Sequence, residues 1–297
     1  MNGLIDLARY ATLALSLTVA SASLAASGAE TAAALQLNYN TTRSTCDDPT
    51  VPAHACSGVL LRTTRPSANY HTWNNSPNSL TKGGVAFSYL RADAKTSRLA
   101  EDGRSGYTLY PLLLRPKNTY RYYVLCAYPI DGDSWTRDLH GCGDNANTDT
   151  VEQVCHEQGI TTAEAWVEQF MQTQDYTRQC AFDVQKHRVA ERADAFYQAL
   201  RAINLLTYKP FPWNEIILAT WDEKYSNRLP IQSFFYIDNS FGGLENAQHD
   251  QADWHQTTGQ WLPVINLRLP QGDTDDAVFT YNAHDQRISE PETPSGF

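Results

Sequence analysis

Three features predict an α+β fold. Short runs of β-branched, aromatic and aliphatic residues recur in the first part of the chain and again toward its end. Between them, the apolar residues switch to helical spacing. The chain has no internal repeat, and strands on both sides of one helical insert suit a single main core in 297 residues.

The elements follow in order. Residues 26–44, rich in Ala, Ser and Thr, read as a loose lead-in. Gly58–Thr64 is a strand-type apolar run, and Gly84–Leu90 is a second. Ser67–Lys82 between them is rich in Asn, Ser and Pro and reads as loop. Ala92–Ala100 fits one short helix, and Tyr107–Leu114 and Tyr120–Tyr128 fit further strands. Pro129–Asp149 is loop by its Gly, Asp and Asn content.

The period then changes. Thr161 to Glu164 has capping-box spacing, followed by Trp166, Val167, Phe170 and Met171 on one helical face. Val189–Leu206 repeats the pattern through Ala193, Phe196, Tyr197, Leu200 and Ile203. Strands return at Glu215–Trp221, Ile231–Ile237 and Trp261–Leu269, with a short polar helix at Glu245–His255. Residues 271–297 read as an acidic, Pro-bearing tail. The expected domain is therefore 38–270, with a helical insert at about 150–206.

Charge excludes some functions. Lys and Arg total 23 against 33 Asp and Glu, a formal net charge of −10. That balance argues against a general nucleic-acid binder and against a surface held to anionic lipid. Aromatics at 11% are too many for a disordered chain.

The first 25 residues read as a secretory signal peptide, predicting a secreted or periplasmic protein. Tyr10–Leu24 is uncharged, and Ala20-Ser21-Ala22 and Ser23-Leu24-Ala25 both suit cleavage. No second apolar span follows, so no membrane span is expected. All six cysteines lie downstream, at Cys46, Cys56, Cys126, Cys142, Cys155 and Cys180. An even count in an exported chain suggests three disulfides. Fifteen connectivities are open; short loops favour Cys46–Cys56, Cys126–Cys142 and Cys155–Cys180. No cysteine or histidine cluster has zinc spacing, so no metal is expected.

Three segments carry candidate chemistry. In Leu60-Leu61-Arg62-Thr63-Thr64-Arg65-Pro66, an arginine ends an apolar strand, where a guanidinium can grip phosphate in two-pronged fashion. In Ala86-Phe87-Ser88-Tyr89-Leu90-Arg91, a strand hydroxyl can orient polar neighbours. In Trp213-Asn214-Glu215-Ile216-Ile217-Leu218, a carboxylate opens an apolar strand.

In order and context, Arg62, Ser88 and Glu215 resemble the Arg–Ser–Glu pattern of cholera-toxin-type mono-ADP-ribosyltransferases. More closely, the chain resembles the halovibrins, secreted bacterial NAD glycohydrolases. That likeness rests on Cys56–Arg62, Tyr70–Trp73, Gly84–Arg91 and Asn214–Trp221, and covers about residues 38–270. The resemblance implies an ADP-ribosyltransferase-like split-sheet core with a helical, disulfide-bearing insert. It implies cleavage of the nicotinamide–ribose bond of NAD, with NAD as substrate and no additional cofactor. Glu215 and Ser88 are the implied catalytic pair. Glu215 would hold the ribose 2′-hydroxyl and stabilise an oxocarbenium-like state, and Ser88 would buttress it. Arg62, with Thr63 after it, would bind the pyrophosphate, and Tyr89 or Trp213 would stack on nicotinamide.

The chain departs from the transferase pattern at Trp213, which stands where a first glutamate activates the acceptor side chain. That departure favours water as acceptor. The alternatives are a toxin that transfers ADP-ribose to a host protein and a secreted binding module without activity. A host target or an immunity protein is a conceivable partner. His71, in Asn69-Tyr70-His71-Thr72-Trp73, is a candidate base or ligand, though more in keeping with a surface residue. The His249–His255 segment places Asp and His at near-helical spacing, with the same two options.

Overall fold

Nine strands line up in one mixed sheet among the residues that the computed structural model describes, 26–67, 69–132, 142, 154–173, 180–184, 189–206, 213–272 and 274–292. The expected signal peptide, most of the 129–149 loop and the last five residues lie outside them. The strands are β1 (Val59–Thr64), β2 (Gly84–Leu90), β3 (Ser105–Leu109), β4 (Val124–Tyr128), β5 (Phe182–Asp183), β6 (Glu215–Ala219), β7 (Ile231–Ile237), β8 (Val264–Arg268) and β9 (Val278–Tyr281). Their order across the sheet is β5-β4-β6-β2-β1-β3-β7-β8-β9. The β7–β8 pair is parallel and the others are antiparallel. A parallel pair needs a crossover, which the helix Gly243–Thr258 supplies. The fold is thus α+β with a large mixed sheet.

Successive strand residues face opposite sides of the sheet, and here both sides are covered. Leu60, Phe234 and Val264 join the larger core, while Leu61, Phe235 and Ile265 join a second one on the other face. Six helices cover these faces among the described residues: α1 (Gly28–Asn40), α2 (Pro77–Lys82), α3 (Ala163–Thr173), α4 (Val189–Leu205), α5 (Glu223–Ser226) and α6 (Gly243–Thr258). Phe196, Leu200 and Ile203 of α4 enter the larger core, and Leu35 and Tyr39 of α1 enter the second.

Several expectations are corrected. The 26–44 lead-in is largely α1: Ser27 and Glu30 form a reciprocal capping box, and the Leu35 and Tyr39 side chains are fully buried. The 271–297 tail contains β9, which pairs with β8, and Tyr39 reaches across to donate to Asp276 Oδ1 at 3.0 Å. The domain therefore extends beyond 38–270 at both ends. The Ser67–Lys82 loop ends in α2, capped by Ser76 and stopped by Gly83 in the left-handed region. Ala92–Ala100 is not a helix; only Ala100–Asp102 forms a 3₁₀ turn. The cap of α3 is Thr162, whose Oγ1 accepts from the Ala165 amide at 3.2 Å.

Cys46–Cys56 and Cys155–Cys180 are bridged, with Cα–Cα distances of 5.9 and 4.9 Å. The expected Cys126–Cys142 bridge is not formed. Cys126 and Cys142 are both buried in one apolar cluster, with the Cys142 thiol aimed at the Phe182 carbonyl at 3.8 Å. No helix among the described residues is long and apolar enough to cross a membrane.

Candidate functional site

β2 changes partners along its length. Its first half, Gly84–Phe87, pairs with β6, whereas its second half, Ser88–Leu90, pairs with Val59–Leu61 of β1. Past the Leu61↔Ser88 pair the two strands part, and the rest of β1 continues on β3 alone. Gly106 on β3 permits that close pairing, because a Cβ there would fall 1.9 Å from the Arg62 carbonyl oxygen.

Side chains replace the missing ladder bonds on both sides of the split. On the β1 side, Arg62 Nη1 donates to the Ala86 carbonyl at 2.8 Å. On the β6 side, the buried Asn214 carboxamide holds the main chain of Tyr89. Ser88 lies between. Its hydroxyl accepts from the Ala100 amide at 2.7 Å and donates to the Asn214 carbonyl at 3.4 Å. Thr63 Oγ1 then donates to the Ala100 carbonyl at 2.6 Å. One continuous set of bonds thus joins β1, the 99–103 loop, β2 and the start of β6.

A cavity of about 430 Å³ opens at this split. That size suits a small-molecule ligand. Arg62, Thr63, Trp213 and Glu215 line it, with Lys82 from α2 and Thr72 and Asn74 from the preceding loop. The wall mixes cations (Arg62, Arg65, Lys82) with carboxylates (Glu101, Asp131, Glu215), which suits a polar, charged ligand. Glu215 is nearly buried, and its Oε2 accepts from the Gly132 amide at 3.1 Å. Glu101 and Asp102, at the rim, take left-handed φ values of 69° and 47°. Such backbone costs a non-glycine residue roughly 1–2 kcal/mol. The Ala100 bonds to Ser88 and Thr63 hold the adjoining turn in place.

Four of the six sequence-predicted site residues therefore meet at one cavity, and two do not. Ser88 is fully buried and bonds only to main-chain groups of the split, so it positions its neighbours rather than touching a ligand. Tyr89 is corrected outright. Its ring packs edge-on to Phe196 in the core, and its hydroxyl donates to the Ser57 carbonyl at 2.9 Å, so it cannot stack on a bound ring. Strand alternation explains this, since neighbours on β2 face opposite ways and only residues at the split meet the cavity.

Sequence reasoning missed Asn214, and it marked Asp250 and Asp253 only as members of the His249–His255 segment, without their partners Thr64 and His71. Asn214 stands beside Glu215, but nothing in one sequence marks its side chain as a ladder substitute. Asp250 on α6 is buried and accepts from Thr64 Oγ1 at 3.3 Å. Burial pushes its carboxyl up to about 6. Asp253, one turn on, meets His71 in a second cleft. Among the described residues no group of three His, Cys, Asp or Glu side chains converges to hold a metal ion. No protein-family model matches the chain, and no curated protein matches it in sequence.

Proposed function

We propose that the chain is an exported NAD glycohydrolase on an ADP-ribosyltransferase-like split sheet. The observation that carries this reading is the cavity at the split, where Arg62, Thr63, Trp213 and Glu215 converge from strand segments some 150 residues apart. Arg62 and Glu215 are the first and last members of the Arg62, Ser88, Glu215 order on which the family resemblance rests. The two disulfides are compatible with an oxidising compartment outside the cytoplasm.

In this reading Arg62 grips the pyrophosphate with the guanidinium N–H groups that Ala86 does not use. Trp213 offers an aromatic wall to nicotinamide. Glu215 accepts from the ribose 2′-hydroxyl and stabilises the positive charge that builds as the nicotinamide–ribose bond breaks. Ser88 and Asn214 keep Glu215 at the cleft by holding its strand. Water captures the ribosyl cation and yields ADP-ribose.

The test is nicotinamide release from NAD by the purified, disulfide-intact chain and by Glu215→Gln. Release by the wild type, lowered about 10²–10³-fold in the variant, is the expected result, the size typical of losing one preorganised electrostatic contact. Equal release moves the chemistry elsewhere. No release without an added protein, but label transfer from NAD when one is present, would make the chain a transferase instead.

A further inference from the structure

A second cleft adjoins the first and shares Tyr70 and Asn74 with it. His71 and Asp253 line this second cleft. The His71 Nδ1 lies 2.7 Å from Asp253 Oδ2, and the imidazole stacks flat on Trp73, with centroids 4.7 Å apart and planes 6° apart. Trp73 is itself buried, and its carbonyl accepts from Trp221 Nε1 at 3.1 Å. The ring is thus fixed in both plane and rotation. A carboxylate on Nδ1 sets the tautomer in which Nε2 is the basic atom.

We propose that His71, oriented by Asp253, is the general base that deprotonates the acceptor hydroxyl. This inference rests on the glycohydrolase reading of the first cleft. Two further observations carry it. First, α6 ties the clefts together: Asp250 bonds Thr64 at the wall of the first, and Asp253, three residues on and on the same helix face, holds His71 in the second. Second, Trp213 beside Glu215 has an indole N–H that donates only, so it cannot take a proton.

In the step assigned, the nicotinamide nitrogen leaves with the electron pair of its bond to ribose C1′. The acceptor oxygen bonds C1′, and its proton passes to His71 Nε2 and on to solvent through the open cleft. Asp253 accepts from Nδ1–H and stabilises the imidazolium. Water as acceptor gives ADP-ribose, nicotinamide and one proton; an alcohol hydroxyl gives the O-linked conjugate by the same transfer.

The experiment compares nicotinamide release by wild type, His71→Gln, Asp253→Asn and Glu215→Gln, with and without azide, an anionic nucleophile that needs no base. His71→Gln is expected to lower kcat about 100-fold, the scale of general-base catalysis, with KM for NAD within about threefold of wild type. Azide restores release in His71→Gln and Asp253→Asn with formation of the 1′-azido product, and does not restore it in Glu215→Gln. Should His71→Gln misfold, Asp253→Asn carries the same readout. Product analysis in the presence of a simple alcohol separates water from an organic hydroxyl as acceptor. If wild type depends on Glu215 while both dyad variants keep full kcat, or lose it without azide rescue, this inference is overturned alone. If wild type releases no nicotinamide, the reading of the first cleft falls, and the inference with it.

Discussion

The Asn214 carboxamide bonds the main chain of Tyr89 twice, with Nδ2 donating to the Tyr89 carbonyl and Oδ1 accepting from the Tyr89 amide, each at 2.7 Å. A side chain here does what a neighbouring strand would do. It closes β2 onto the start of β6 where the ladder between them has ended at Phe87↔Ile216. Glu215 is the next residue along, so its carboxylate inherits the rigidity of this clamp.

Replacing Asn214 by Ala leaves a buried amide and a buried carbonyl of Tyr89 without partners. Each orphaned group costs about 1–3 kcal/mol. Urea unfolding of Asn214→Ala is expected to show a loss of about 3 kcal/mol. Nicotinamide release should fall by more than the folded fraction explains. A variant with wild-type stability would show that the clamp contributes nothing.

Arg62 spans the split through Ala86, so Lys in its place keeps the charge and loses the planar fork. Arg62→Lys is expected to raise KM for NAD about tenfold while kcat changes much less. That follows if Arg62 grips the substrate equally in the ground and transition states. Steady-state kinetics on the two proteins check it, and a kcat loss at constant KM would assign Arg62 to the bond-breaking step instead.

Asp250 makes stability depend on pH. Burial holds its carboxyl up at about 6, above the ordinary value of 3.8. The folded state therefore binds this proton more tightly than the unfolded chain. The favourable contribution is complete below 3.8 and is lost as pH rises through 6. Asp250→Asn removes that dependence while keeping an acceptor for Thr64. At pH 8 the variant should be more stable than wild type by on the order of 2 kcal/mol. The gap should close as the pH approaches 4. Urea midpoints at the two pH values decide, and a gap that does not move with pH would show that Asp250 is not the group responsible.

The Cys155–Cys180 bridge closes a separation of 25 residues and ties the lead into α3 to β5. The paired substitution to Ser is expected to lower stability by about 3 kcal/mol through the freed unfolded chain. Cys126, fully buried on β4, should resist alkylation in the native, unreduced protein and react only once urea unfolds it. Peptide mass mapping before and after unfolding reads this directly.

The strands and the long central helices were legible because their apolar periods are local. β1, β2, β6, β7 and α4 fall almost where their patterns put them, and two of the three short-range cysteine pairs are bridged. α1 was also written in the chain, as Ser27 and Glu30 at capping-box spacing, but its Ala, Ser and Thr content hid it under a reading by composition. β9 was not legible, because four residues in an acidic stretch become a strand only when β8 offers them a ladder. At the site, the order of Arg62, Ser88 and Glu215 and their strand contexts nominated Arg62 and Glu215, since order along the chain and side-chain chemistry are both written in the sequence. Which way a side chain points depends on strand register. Only the tertiary structure could send Tyr89 into the core and Ser88 into the hinge of the split. The same holds for the His71–Asp253 pair, whose members lie 182 residues apart and meet because α6 packs on β7 and β3 and reaches Thr64 at the end of β1 through Asp250. A sequence records periods and chemical types, whereas a site is made by distances, and these exist only once the chain has closed on itself.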